Sequence, residues 1–204
     1  MKLKNSLTTN LIVVISGFFI IANYAPKITW GGLGLQDNLL LINKAIFNDG
    51  RIHGVFAGEW WRVFTVVLTH ASWIHLGMNM LVLFQLGTIV ERFYGLTRYA
   101  FILLISTVGA SFASLWLDPS NQPSVGASGM IFGLFGAMVI AGKRMPVQYG
   151  QVLGYLALNL VIGFTIPNVD WHAHVGGLLG GALAAVVLRA FPKRPVYQLS
   201  LIHI

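Results

Sequence analysis

The sequence predicts an all-α membrane protein: one bundle of six transmembrane helices with a long, partly interfacial first loop. Three observations predict it. Of 204 residues, 56% are hydrophobic and 9% charged, with a mean hydropathy of +0.74, whereas a soluble domain carries about a quarter charged residues. Six apolar runs follow one another along the chain, most of them joined by short connections, as in a chain that crosses a bilayer repeatedly. The basic residues gather in alternate connections, the asymmetry that orients membrane helices. No Ser/Pro-rich or charged linker divides the chain. Residues 1–190 therefore read as a single membrane domain and 191–204 as a cytoplasmic tail.

The first apolar run, residues 11–22, follows Lys2 and Lys4 as a signal peptide would. Asn23-Tyr24-Ala25-Pro26 is a poor cleavage site, so the run reads as a retained first helix. Residues 27–69 form the longest non-spanning segment, with Gly31-Gly32, Gly34 and Asn48-Asp49-Gly50 interrupting apolar patches. Trp30, Trp60 and Trp61 are the amphipathic rings that collect at a bilayer interface. Short interfacial helices are expected there. Five further helices are expected at 73–90, 99–117, 128–141, 149–166 and 174–188, with connections at 91–98, 118–127, 142–148 and 167–173.

Lys2, Lys4, Arg92, Arg98, Lys143, Arg144, Arg189, Lys193 and Arg194 all fall on one side of this arrangement. The positive-inside rule makes both termini cytoplasmic and the long first loop external. Despite a pI near 10.0, the basic residues are scattered singly or in pairs, which excludes a nucleic-acid partner. The chain has no cysteine, so disulfides, thiol catalysis and cysteine-ligated metals are excluded. Residues 199–204 read as translated adapter sequence and are assigned no role.

Within a bilayer the informative residues are polar ones inside spanning helices, each costly unless partnered. Here they are His75 and Asn79 in the second run, Ser128 in the fourth, Asn159 in the fifth and His174 in the sixth. No Asp or Glu lies in a spanning core. The stretch Gly126-Ala127-Ser128-Gly129 suits two uses: tight helix packing, or a nucleophile approached closely by a substrate backbone. Depth favours the second. Ser128 and His174 each precede a basic marker (Lys143, Arg189) by about fifteen residues, roughly 22 Å along a helix. His75 and Asn79 bracket the same level before Arg92.

Each of these groups has a chemical use at that depth. Ser128, at a helix start, lies among unpaired backbone N–H groups. His174 is placed to act as its general base. His75 and Asn79, four residues apart on one helical face, suit an oxyanion hole completed by the Ser128 N–H. His174, Gly177, Gly181 and Ala185 share one small face, and the overlapping Gly-x-x-x-Gly pairs at 176–180 and 177–181 admit a close neighbour.

These residues resemble the rhomboid family of intramembrane serine proteases. Glu59-Trp60-Trp61-Arg62 resembles the family's Trp-Arg element, and His70, His75 and Asn79 its His-x4-His-x3-Asn pattern. Gly126-Ala127-Ser128-Gly129 is similar to Gly-x-Ser-Gly, and Ala173-His174-Val175-Gly176-Gly177 to the Ala-His-x-Gly stretch. The resemblance implies Ser128 as nucleophile, His174 as base, and an oxyanion hole of His75, Asn79 and the Ser128 N–H. It implies Gly126 as clearance for the substrate, with Trp61, Arg62, His70, Phe132, Gly177 and Gly181 in support. Phe132 stands where some members have a Tyr packed on the catalytic His. Implied partners are transmembrane protein substrates and the lipid bilayer, with neither cofactor nor metal, in a bacterial inner membrane. The fifth run with residues 167–173 is the implied gate.

Four other readings compete with this one. An inactive rhomboid-like client binder would ordinarily lack Ser128 or His174. A transporter or channel would place a carboxylate at midplane. A metalloprotease would carry His-Glu-x-x-His, although His70, His75 and His174 offer three ligands. An aspartyl protease would need two intramembrane Asp residues. The sequence reading is a Ser-His intramembrane endopeptidase.

Overall fold

Helix α1 (Leu7–Tyr24) is capped by Ser6, whose hydroxyl accepts from the Thr9 N–H at 3.3 Å. The computed structural model describes residues 6–25, 28–118, 121–167 and 169–190, so the tail lies outside the described residues. Glu91 grips the start of α1 from far along the chain. Its carboxylate accepts from the Leu7 and Thr8 N–H groups at 2.7 and 3.0 Å and from the Ser6 and Thr8 hydroxyls at 2.8 and 2.7 Å. An anion here satisfies donors without an intrahelical acceptor and meets the positive end of the helix dipole.

The long first loop is more ordered than the sequence predicts. Strands β1 (Thr29–Trp30) and β2 (Leu33–Gly34) form a hairpin whose turn residues, Gly31 and Gly32, have φ of +63° and +92°, a two-glycine turn that only such backbone freedom allows. Helix α2 (Leu35–Leu39) follows, then a second hairpin of β3 (Ala45–Ile46) with β4 (Ile52–His53). Helix α3 (Arg62–Thr65) lies between two 3-10 turns. The short helices were expected. The hairpins were not, because two-residue strands leave no periodicity to read.

Arg62 organises this loop. It is fully buried and donates through Nη1 to the carbonyls of Asp37 and Leu40 at 2.7 and 2.8 Å, and through Nε to Glu59 at 2.7 Å. Glu59 also takes the Gly54 N–H at 2.7 Å and pairs with His53 Nδ1 at 2.7 Å, while His53 Nε2 meets Asp49 at 3.0 Å. Hydrogen bonding to Glu59, then to Asp49, raises the His53 pKa above its usual 6.5. Burial pushes Glu59 up, but its bonds to His53, Gly54 and Arg62 outweigh this and hold it below the usual range. Asp49 is lowered by the Arg51 N–H and by His53. Trp61 donates its indole N–H to the Asn38 carbonyl at 3.2 Å.

Among the described residues, six long helices make the predicted bundle: α1, α4 (Trp73–Tyr94), α5 (Leu96–Leu117), α6 (Ser128–Ala141), α7 (Tyr149–Thr165) and α8 (Trp171–Ala190). Helices α1, α4, α5 and α8 are long and apolar enough to cross a membrane. The expected connection at 91–98 shrinks to Gly95 alone, and α8 begins at Trp171 instead of 174. Hydropathy marks the immersed part of a helix, whereas backbone hydrogen bonding carries the polar ends further. Asp170 starts α8 by accepting the Ala173 N–H at 2.9 Å, a side-chain cap of the usual kind.

Helix α6 is the centre. Every residue from Gly129 to Met138 is buried, the surroundings expected of a helix that is apolar on all sides. Its 14 residues span about 21 Å, short of the ~30 Å hydrocarbon layer, so its first residue is sunk below one face. Glycines bring its backbone against its neighbours. A Cβ on Gly133 would strike the Ser106 side chain of α5, and one on Gly136 would strike the Leu178 carbonyl of α8. From the α8 side, Gly177 lies against the Gly129 carbonyl and Gly181 against that of Gly133. The overlapping glycine pairs divide their work. Gly176 and Gly180 face Gly109 and Ile105 of α5, and Gly177 and Gly181 face α6.

Two outcomes follow from this packing. Gly133→Ala should lower stability by about 1–3 kcal/mol through overpacking, while Gly154→Ala in α7, with nothing within 4 Å, should cost nothing. Thermal unfolding in detergent measures both. Because the His53 pKa is raised in the fold, its contribution is complete below about pH 6.5 and is lost as pH rises through the folded value. Wild type should therefore lose unfolding temperature above that pH, and His53→Gln should remove this component of the slope.

Candidate active site

Ser128 is the first residue of α6, preceded by Ala127 and Gly126. The extended segment ahead of it is stitched to the first loop. Leu41 and Ser124 exchange backbone hydrogen bonds at 3.0 and 2.8 Å, and the Gly126 N–H donates to the Val66 carbonyl at 3.2 Å. Gly126 has φ of +117°, and a Cβ there would lie 2.8 and 2.9 Å from Cε1 and Nε2 of His75. Both backbone and space therefore require glycine at this position.

Ser128 Oγ lies 2.9 Å from His174 Nε2. His174 ends the first turn of α8, is buried, and stacks on Phe132 with centroids 4.2 Å apart and planes 11° from parallel. The far edge of its ring faces α7, where a Cβ on Gly163 would come within 2.9 Å of Nδ1. Nδ1 has no hydrogen-bond partner among the described residues. With the Ser128 hydroxyl as donor, the neutral imidazole carries its proton on Nδ1, and Nε2 accepts.

His75 and Asn79 face the same cavity, which has a volume of about 560 Å³. The Ala71 N–H donates to His75 Nδ1 at 3.4 Å, which leaves the His75 proton on Nε2, next to Gly126. The Asn79 amide donates to the His75 carbonyl at 2.8 Å, using one of its two N–H groups. The N–H groups of Ser128, Gly129 and Met130 belong to a first helical turn and have no intrahelical acceptor. Donors from α4 and α6 thus meet at one end of the Ser–His pair. Asn159 of α7 reaches the cavity with its amide N–H held by the Tyr155 carbonyl at 2.7 Å.

The remaining predicted residues lie one layer out. His70 is buried against Phe19 and His75, and its backbone N–H donates to Gln36 at 3.0 Å. Burial first, then the neighbouring His75, push its pKa down to about 4. Gly177 and Gly181 set the α6–α8 spacing, and Trp61 and Arg62 hold the first loop. Gln36 escaped the sequence reading, since it is linked to His70 across 34 positions with no local signal. Asp170 could have been found as the capping residue three positions before Ala173. His70, His75 and His174 do not converge as a ligand set. Among the described residues, the group that does is Asp118, Asp170 and His172, with ligand atoms within 4.8 Å.

The fold and this cavity define a polytopic helical membrane protein with a Ser–His pair sunk between its helices. A family model described as the Rhomboid domain matches residues 57–191, and the chain belongs to the rhomboid family. It is 38% identical over 155 residues to rhomboid protease GluP of Bacillus subtilis (strain 168), covering 71% of this chain and 30% of that protein. RHOMBOID-like protein 5 of Arabidopsis thaliana is 35% identical over 145 residues, covering 67% of this chain and 46% of that protein. Rhomboid protease AarA of Providencia stuartii is 29% identical over 188 residues, covering 78% of this chain and 65% of that protein. The chain thus spans less than two thirds of each of these relatives.

Proposed function

We propose that the chain is an intramembrane serine endopeptidase that cleaves peptide bonds in or near transmembrane segments of other membrane proteins. The observation that carries this reading is the 2.9 Å approach of Ser128 Oγ to His174 Nε2 at the mouth of the shortest central helix. Relatives named rhomboid proteases support the same activity.

In this reading Ser128 Oγ attacks the scissile carbonyl as its proton passes to His174 Nε2. The resulting oxyanion meets the Ser128 N–H, His75 Nε2–H and the second N–H of Asn79, donors fixed before the reaction starts. Protonated His174 then gives its proton to the departing amine, leaving an acyl-Ser128 ester. A water, deprotonated by His174, hydrolyses that ester and restores the pair. Phe132 holds the imidazole plane. The missing side chain at Gly126 leaves room for the His75 ring beside Ser128, and the substrate arrives as extended backbone, because a peptide bond inside a helix is shielded from attack. Substrates with helix-destabilising residues and a small side chain before the scissile bond fit this demand. The reading also carries one membrane domain over residues 1–190, both termini cytoplasmic in a bacterial inner membrane, and α7 with residues 167–173 as the gate.

Cleavage of a model transmembrane substrate in liposomes tests the assignment. Ser128→Ala should reduce it to background, and His174→Ala by about 10²–10⁴-fold. His75→Ala should cost about 10²–10³-fold as a lost oxyanion donor. Gly126→Ala should also impair turnover. A fluorophosphonate should label Ser128 in the wild type and not in His174→Ala. Unimpaired cleavage by folded Ser128→Ala would sink the proposal, and absent cleavage with an unlabelled, folded wild type would point to an inactive client binder.

A further inference from the structure

At the end of α6 opposite Ser128, a second cavity of about 300 Å³ opens where α4, α6 and α8 end and α5 begins. Among the described residues, three arginines from three elements line it (Arg98 of α5, Arg144 in the turn after α6, and Arg189 of α8), and no carboxylate does. Glu91, one turn before Tyr94, is occupied by the start of α1. The remaining wall is apolar or aromatic, including Tyr94, Ile140 and Leu188. Arg98 Nη1 donates to the Leu188 carbonyl at 3.2 Å, and Tyr94 donates to the Ala137 carbonyl at 3.3 Å, so the cavity wall is hydrogen-bonded in place.

Arginines at helix C-termini complement the helix dipole, and that accounts for part of this charge. Each C-terminus is equivalent to roughly −0.5 charge and the α5 N-terminus to roughly +0.5, so together they offset about one of the three guanidinium charges. The surplus of roughly two positive charges attracts the single negative charge of a phosphate diester. Guanidinium forks match phosphate oxygens in pairs, and a cationic recess with apolar walls at a membrane rim is the chemistry that holds a phospholipid headgroup. We propose that this cavity binds the phosphate of an anionic membrane phospholipid, with Arg98, Arg144 and Arg189 on the headgroup and Ile140 and Leu188 against its apolar part. The site is separate from the Ser128 cavity, and its test needs no catalytic activity.

Native mass spectrometry of the purified full chain, titrated with phosphatidylglycerol or phosphatidylcholine, measures it. The wild type should retain phosphatidylglycerol preferentially, and Arg144→Gln with Arg189→Gln should reduce that preference about tenfold or more. Lys143→Gln, which removes a neighbouring charge outside the cavity, should leave it unchanged. If the double Gln variant does not fold, Arg144→Lys with Arg189→Lys, which keeps the charge but loses the fork, should still weaken retention. A separate arm adds inorganic phosphate. Protection by phosphate without a preference for phosphatidylglycerol would overturn the lipid as the source. Equal phosphatidylglycerol retention by wild type and the folded double Gln variant, or an equal loss in Lys143→Gln, would overturn the site.

Discussion

The rest of the structure depends on the backbone-to-backbone contact between α6 and α8. Between membrane helices the hydrophobic effect gives little drive to associate, so close van der Waals packing of small residues takes its place. Gly129 and Gly133 on one helix meet Gly177 and Gly181 on the other at a separation no side chain would permit. Ser128 is one residue before the first of these pairs, and His174 is one turn before Gly177. The 2.9 Å Ser–His approach is a consequence of that glycine register. The same residues that look like mere packing set the Ser–His distance.

A short central helix creates a second constraint. Because α6 does not reach one face, the chain before Ser128 must be held without a helix of its own, and the first loop supplies the support. Arg62 draws α2, α3 and the second hairpin together. The Leu41–Ser124 and Val66–Gly126 backbone bonds then pass that rigidity to the residues just before the serine. Gln36 fixes His70, and His70 packs on His75. The loop is therefore part of the site's foundation, although it contributes no side chain to the Ser–His pair.

The two ends of α6 also differ in charge. The end bearing Ser128 collects the N–H donors of a first helical turn and the His75 and His174 rings, suited to a developing negative charge. The opposite end gathers arginines around three helix C-termini and leaves a surplus of positive charge. Electrostatics thus separates along one buried helix, with hydrogen-bond donors at one end and guanidinium groups at the other.

The sequence by itself determined the six helices, because apolar runs in a chain with 9% charge have few alternatives. It also marked Ser128, His174, His75 and Asn79, because polar groups at matching depths stand out against an apolar background. Helix ends were less legible. Gly95 replaced an eight-residue connection, since hydropathy reports immersion and not hydrogen bonding. The division of Gly176 and Gly180 from Gly177 and Gly181 between two neighbours, and the reach of Gln36 and Glu91 across the chain, came only from the folded structure. These depend on contacts between residues far apart in sequence. Short strands and single side-chain bonds leave no periodic trace, whereas burial in a membrane leaves one in every turn of helix.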